Sequence, residues 1–205
     1  MVEGSKVLQP SETPNLRTFS NLRPGTGGGI AALLLASLDK RLHAVCAIVP
    51  SNVVWQSARA VDRSSSSWTF HGDPLPFVPY KGPLTPQSGR LADLFELSLQ
   101  NERAVEAATI EVENINGPIL LISAAQDEIW PSEKMSDAIV ERLREKGFSY
   151  PYQNLSYETG HGFSRELAPE INGKIVDFFR TNLLNMNGTG ATTAPSEHAH
   201  SSSNR

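Results

Sequence analysis

Apolar residues along this chain follow two habits, near-continuous runs of strand length and stripes at helical spacing. The runs are LHAVCAIV at 42–49 and PILLISA at 118–124, with the more mixed YPYQNLSY at 150–157. An unbroken apolar run of that length suits a strand covered on both faces, as in a parallel sheet. Helical spacing runs through 28–37 (GGIAALLLAS), through 91–108, and onward from Ser132, where Met135, Ala138, Ile139 and Leu143 share one face. Ser132 reads as the N-cap of that helix and Gly147 as its stop. A last helix is expected over 171–184, with Ile175, Val176, Phe178 and Phe179 as its apolar residues. Strands alternating with helices predict an α/β fold, a parallel sheet flanked by helices. Residues 1–24 are polar and without a period, and 64–86 form a long loop rich in proline and aromatics. From 185 onward the Ser/Thr/Gly/Asn-rich sequence is expected to be a disordered tail.

In parallel sheets functional groups gather at the carboxyl ends of the strands. That singles out three loops, 25–29, 125–132 and 158–163. The first belongs to RPGTGGGIAALLLAS at 23–37, a glycine-crowded turn that runs into an apolar helix. Such a turn serves either a nucleotide phosphate or a catalytic nucleophile. Gly27-Gly28-Gly29-Ile30-Ala31-Ala32 fits the dinucleotide pattern G-x-G-x-x-A. The next strand, however, ends Val49-Pro50-Ser51-Asn52, with no carboxylate to hold a ribose, and no Gly-Lys-Ser/Thr follows the glycines. In the nucleophile reading Thr26 is the apex, and Gly25, Gly27 and Gly28 let strand and helix approach closely. The N–H of Gly27 would then be one oxyanion donor, helped by the helix dipole.

Nucleophile, acid and base should follow in that order, each after a strand. Asp127 follows the second apolar run and His161 the third. Of five histidines only His161 lies in a glycine-flanked loop at a strand end; His43 begins a strand run, and His198 and His200 lie in the tail. Taken singly, Asp127 and His161 read as ordinary loop residues; together and in order they read as parts of a triad. Other nucleophiles fit less well. Cys46 sits in a buried strand pattern as an inert core thiol, Ser51 lacks flanking glycines, and Ser37 is too far along the helix.

Composition narrows the classes further. A chain of 205 residues makes one domain with a real core. A net charge of -4 without a basic cluster argues against nucleic acid or an anionic membrane as partner. No apolar run reaches the roughly 20 residues of a membrane span. The single cysteine excludes an internal disulfide and suits a reducing compartment. A polar start without a signal-peptide core and a C-terminus, Ser-Asn-Arg, unlike the peroxisomal address set the expectation of a cytoplasmic protein. On that expectation the glycosylation patterns at Asn154 and Asn187 are chance matches. Neither a metal nor a cofactor is expected.

GPILLISAAQDEIWPSEKMSDAIVERL together with NLSYETGHGF resembles the C-terminal catalytic domain shared by acyl-CoA thioesterases and bile acid-CoA:amino acid N-acyltransferases, which has an α/β-hydrolase fold. The elbow of that family, G-x-S-x-G-G-x-x-A-L-x-x-A-S, is similar in register to PGTGGGIAALLLAS. The resemblance covers about 25–184 and implies a nucleophile position at Thr26, an acid at Asp127 and a base at His161. It also implies an acyl-CoA or related ester or thioester as substrate. The aromatic loop, with Trp68, Phe70 and Phe77, either covers an acyl pocket or closes the edge of the core. Trp130 either borders that pocket or packs beside the acid loop. The chain departs from the family at Pro24 in place of the first glycine and at Thr26 in place of serine, or of cysteine in the acyltransferases. The segment TPNLRTFSNLRPG carries only Leu16, Phe19 and Leu22 as large apolar residues, and no counterpart of the family's N-terminal β-sandwich precedes it. The expectation is therefore the back part of a hydrolase with an incomplete sheet, active weakly if at all because threonine's β-branch restricts χ1. The alternative is a non-catalytic remnant that binds acyl chains or a partner protein.

Overall fold

The computed structural model describes residues 28–58 and 65–184. The expected irregular segment 1–24 and tail 185–205 lie outside the described residues. The secondary elements run α1 (Gly28–Leu38), β1 (Val45–Ile48), β2 (Thr69–Phe70), β3 (Asp73–Pro74), α2 (Leu91–Ser98), α3 (Glu102–Ala108), β4 (Ile119–Ala124), α4 (Ser132–Glu145), β5 (Tyr152–Tyr157) and α5 (Ala168–Phe179). The three apolar runs do pair as a parallel sheet, in the order β1-β4-β5. Val45 to Ile48 lie beside Ile119 to Ile122, and Ile119 to Ala124 beside Tyr152 to Tyr157.

β4 sits in the middle, and all six of its residues are buried, as a run of Ile-Leu-Leu-Ile demands. Its side chains alternate between two cores. Ile119 and Leu121 join Val45, Ala47 and the apolar stripes of α1 and α4 on one face. Leu120 and Ile122 meet Ile171, Ile175 and Phe178 of α5 on the other. The sheet is thus the filling between two helical layers, the arrangement expected from the alternation of elements.

Three elements differ from expectation, each for a local reason. The run 42–49 yields only four strand residues. Leu42 and Ile48 are more than a third exposed, and Val49 ends the strand with φ at +44°, a left-handed conformation rare for a β-branched residue. The stretch 91–108 is two helices. The Asn101 side chain accepts from Ala104 N at 3.3 Å and so starts a second helix, a competition with the ladder that asparagine favours. The last helix begins earlier, at Ala168, and widens into a looser turn at Arg180–Leu184. The stop of α4 is as expected. Gly147 takes φ +62°, Phe148 N donates to Leu143 O and Gly147 N to Arg144 O, which is the Schellman pattern.

The long aromatic loop folds on itself through a two-residue antiparallel ribbon, β2 with β3. His71 and Gly72 both have positive φ at its tip, the requirement of a type I′ hairpin turn. From there it returns Val78 to the core, where Val78 N and O bond to Val54 and Gln56.

Candidate active site

The carboxyl ends of β4 and β5 are tied together by backbone. Ala125 N donates to Tyr157 O and Gln126 N to Thr159 O, both near 3 Å. Parallel neighbours in register therefore deliver their following loops to one place, and those loops carry Asp127 and His161. Nδ1 of His161 lies 3.0 Å from both carboxylate oxygens of Asp127. The Asp127 side chain is 1% exposed and that of His161 11%. A carboxylate so buried requires donors, and it has them. Oδ1 accepts from the backbone N–H groups of Ile129 (3.1 Å) and Trp130 (2.9 Å), and Oδ2 from the hydroxyl of Ser132 (2.9 Å).

Trp130 anchors the Asp127 loop to the neighbouring strand end, its indole N–H donating to Pro50 O at 3.0 Å. Its ring packs edge-on against Trp55 and Phe95. Beside His161, a Cβ on Gly160 would lie 2.9 Å from Glu128 Oε2, the mobile end of an exposed side chain that can move aside.

The third loop is described only from Gly28 onward, and the expected apex Thr26 and oxyanion donor Gly27 lie outside the described residues. The start of α1 is nevertheless tightly specified. A Cβ on Gly29 would stand 2.5 Å from Ile48 O and 2.9 Å from Pro50 Cα, whereas one on Gly28 meets no described atom within 4 Å. Among the described glycines of this turn, the close approach of helix to strand thus falls on Gly29, which sequence reading had not singled out. The strained Val49 lies between the two residues Gly29 touches, and such strain persists only where the surroundings over-determine it.

The aromatic candidates separate. Trp68 and Trp130 are buried in the main core at 5% and 6% exposure, with Phe77 packed partly buried against it. Phe70 is half-buried in β2, its ring against His71. A hollow of about 370 Å³ lies among Asp93, Glu96, Leu97 and Lys134, and one of about 220 Å³ beside Asn52 and Arg142. Neither is lined by any of the four aromatic candidates.

The competing nucleophiles are silenced by their surroundings. Ser51 is fully buried; its hydroxyl donates to Val53 O and accepts from Val53 N and Trp55 Nε1. Ser37 is spent on Leu34 O one turn back. Burial pushes the Cys46 thiol up to about 11, which removes the thiolate at neutral pH. Ser132, expected to be an N-cap, is instead the first helical residue; the cap position is Pro131, with no side-chain bond. Its hydroxyl turns back to Asp127. The signal that could have found it is the spacing of a hydroxyl residue five places after the acid, across Trp-Pro.

Among the described residues no cluster of His, Cys, Asp or Glu could hold a metal ion, and no helix is long and apolar enough to cross a membrane. Residues 24–197 match the model of a family described as BAAT / Acyl-CoA thioester hydrolase C terminal. No curated protein matches the chain significantly. Solved structures similar to it include a puromycin-hydrolyzing peptidase of Mycobacterium tuberculosis, at TM-score 0.48 and 17% identity, covering 84% of this chain and 22% of that one. A putative dienelactone hydrolase of Klebsiella pneumoniae has TM-score 0.42 and 15% identity, over 75% of this chain and 48% of that one. An acetyl xylan esterase from Paenibacillus sp. R4 has TM-score 0.42 and 19% identity, over 78% and 44%. The chain spans less than half the length of each of these three.

Proposed function

The chain belongs to the BAAT / acyl-CoA thioester hydrolase C-terminal family, and from that premise we propose that it is a hydrolase that moves the acyl group of an ester or thioester, most naturally an acyl-CoA, to water. The single observation that carries this reading is the buried Asp127–His161 pair, with Nδ1 3.0 Å from both carboxylate oxygens. Engagement of Nδ1 fixes the tautomer and leaves Nε2 to act on a nucleophile. In the proposed reaction Nε2 takes the proton of the Thr26 hydroxyl as its oxygen bonds to the acyl carbon. The tetrahedral oxyanion rests on N–H groups at the start of α1, Gly27 among them. Collapse breaks the carbon–sulfur bond and His161 hands its proton to the leaving thiol. Water then repeats the cycle on the acyl-threonine and regenerates the hydroxyl. Asp127 holds the imidazole and stabilises the imidazolium.

Threonine at the nucleophile position sets the rate. Its β-methyl restricts χ1, and misplacement of the attacking oxygen by about 1 Å costs on the order of 100-fold. Weak turnover is the expected result. The same residue favours a second reading, a hydrolase relative that binds acyl chains or a partner protein without turning them over. Acyl-CoA hydrolysis by the chain, beside its Thr26→Ser, His161→Ala and Asp127→Asn variants, separates the two. The hydrolase reading expects serine to raise the rate and the two other changes to abolish it. Four equally inactive proteins would leave only the second reading.

A further inference from the structure

One hydroxyl links three elements of the site. Ser132 is fully buried at the first residue of α4. Its Oγ accepts from Ala124 N, the last residue of β4, at 3.1 Å. An amide N–H can only donate, so the single hydroxyl proton of Ser132 points elsewhere. The acceptors in reach are Asp127 Oδ2 at 2.9 Å and Ala124 O at 3.4 Å. The shorter bond to the charged oxygen is the stronger, and the hydroxyl donates to Asp127.

That bond has a geometric consequence. Oδ1 of Asp127 is already held by the N–H groups of Ile129 and Trp130. One anchored oxygen leaves the carboxylate free to swing about it. A second anchor at Oδ2 fixes the plane, and with both oxygens fixed Nδ1 of His161 sits equidistant from them. We infer that Ser132 is a positioning residue for His161, acting through Asp127: it locks the carboxylate so that the imidazole keeps its proton on Nδ1 and presents Nε2 as the acceptor. This rests on the hydrolase reading above for its catalytic meaning, while the lock itself is a property of the folded chain.

The experiment uses proton NMR of the full chain, following the low-field Nδ1–H resonance of His161, assigned by its disappearance in His161→Ala. Ser132→Ala removes the hydroxyl, and Ser132→Cys keeps the volume but offers only a weak donor. The expected result is a resolved resonance in the parent chain, broadened by exchange or lost in both variants, and restored in Ser132→Thr. Where Ser132→Ala fails to fold, the cysteine variant decides. A resonance unchanged in a folded Ser132→Ala or Ser132→Cys overturns the inference, as does its absence from the parent chain. In turnover, kcat should fall about 10- to 100-fold with KM unchanged in the alanine and cysteine variants. If the parent chain and Thr26→Ser hydrolyse nothing, the hydrolase reading fails, and the resonance still decides the role of Ser132.

Discussion

Replacing Gly29 by alanine tests whether the start of α1 is held against the end of β1 as tightly as the structure has it. The new methyl would stand 2.5 Å from Ile48 O and 2.9 Å from Pro50 Cα, far inside the roughly 3.5–4.0 Å optimum for such atoms. Both obstacles are backbone, and neither is loose. Val49 N donates to Ile122 O at 2.8 Å, and Pro50 O accepts from the Trp130 indole. Overpacking of this kind costs about 1–3 kcal/mol, and rigid neighbours place it at the upper end. Alanine returns about 1 kcal/mol of helix propensity over glycine. The net loss is about 2 kcal/mol, which for a chain of this size lowers Tm by about 4–8 °C. Thermal unfolding followed by circular dichroism reads it directly. Gly28→Ala is the control, because its methyl meets no described neighbour and it gains only the propensity; its Tm should stay level or rise by a few degrees. The reasoning is refuted if Gly29→Ala melts at or above the parent temperature, or if the two variants melt together.

A second glycine should prove less tolerant still. The Cβ of Gly117→Ala would strike the His43 carbonyl on the approach to β1, so its Tm should fall below that of Gly29→Ala, as measured in the same melts. Trp130→Phe removes the indole bond to Pro50 O while keeping most of the ring contacts. About 1–2 kcal/mol of stability should be lost in urea titration, and a midpoint equal to that of the parent would count against the anchoring role. Alkaline stability has a definite sign. Burial raises the Cys46 thiol from 9.0 to about 11 and the Tyr80 hydroxyl from 10.0 to about 12, so folding favours both neutral forms. Their contribution is whole below pH 9 and is lost between pH 9 and 12. Tm should fall across that window, and Cys46→Ala should flatten its lower part; a parent curve flat to pH 12 would contradict the burial of both groups.

Legibility of the sequence followed burial. β4 was readable because a strand covered on both faces must be apolar at every position, and 118–124 is. That Asp127 and His161 meet was readable because each is a polar residue beyond a strand run, and parallel register then brings their loops together. The same logic overextended β1, since Leu42 and Ile48 are apolar but partly exposed and the backbone at Val49 leaves strand geometry. Helical spacing over 91–108 hid the break, because the stripe continues in phase across Leu99 while Asn101 caps a new helix. Ser132 and Gly29 were misread or passed over for a shared reason. Their roles depend on what stands opposite them, a carboxylate in one case and a carbonyl in the other, and both partners lie on different elements. Propensity speaks only of a residue's own element, so it made Ser132 a cap and Gly29 one glycine among several.

The way Asp127 is housed also bears on the hydrolase reading. Withdrawing a carboxylate to 1% exposure costs several kcal/mol, recovered only through donors placed around it. Two amides of its own loop, the hydroxyl of Ser132 at the start of α4 and the imidazole of His161 from the loop after β5 all serve that one group. Starting α4 does not call for such an outlay; a neutral asparagine or serine would satisfy the amides of Ile129 and Trp130 without a buried charge. Nor does the apolar core need it, since Trp130, Met135 and Ile139 pack the same region without the carboxylate. What a buried, fully bonded carboxylate beside a nearly buried imidazole does supply is a fixed partner for Nδ1, which the proposed proton transfer requires. On the hydrolase reading proposed above the pair has a use, and threonine at position 26 would then limit the rate at the attack itself rather than at the proton transfer.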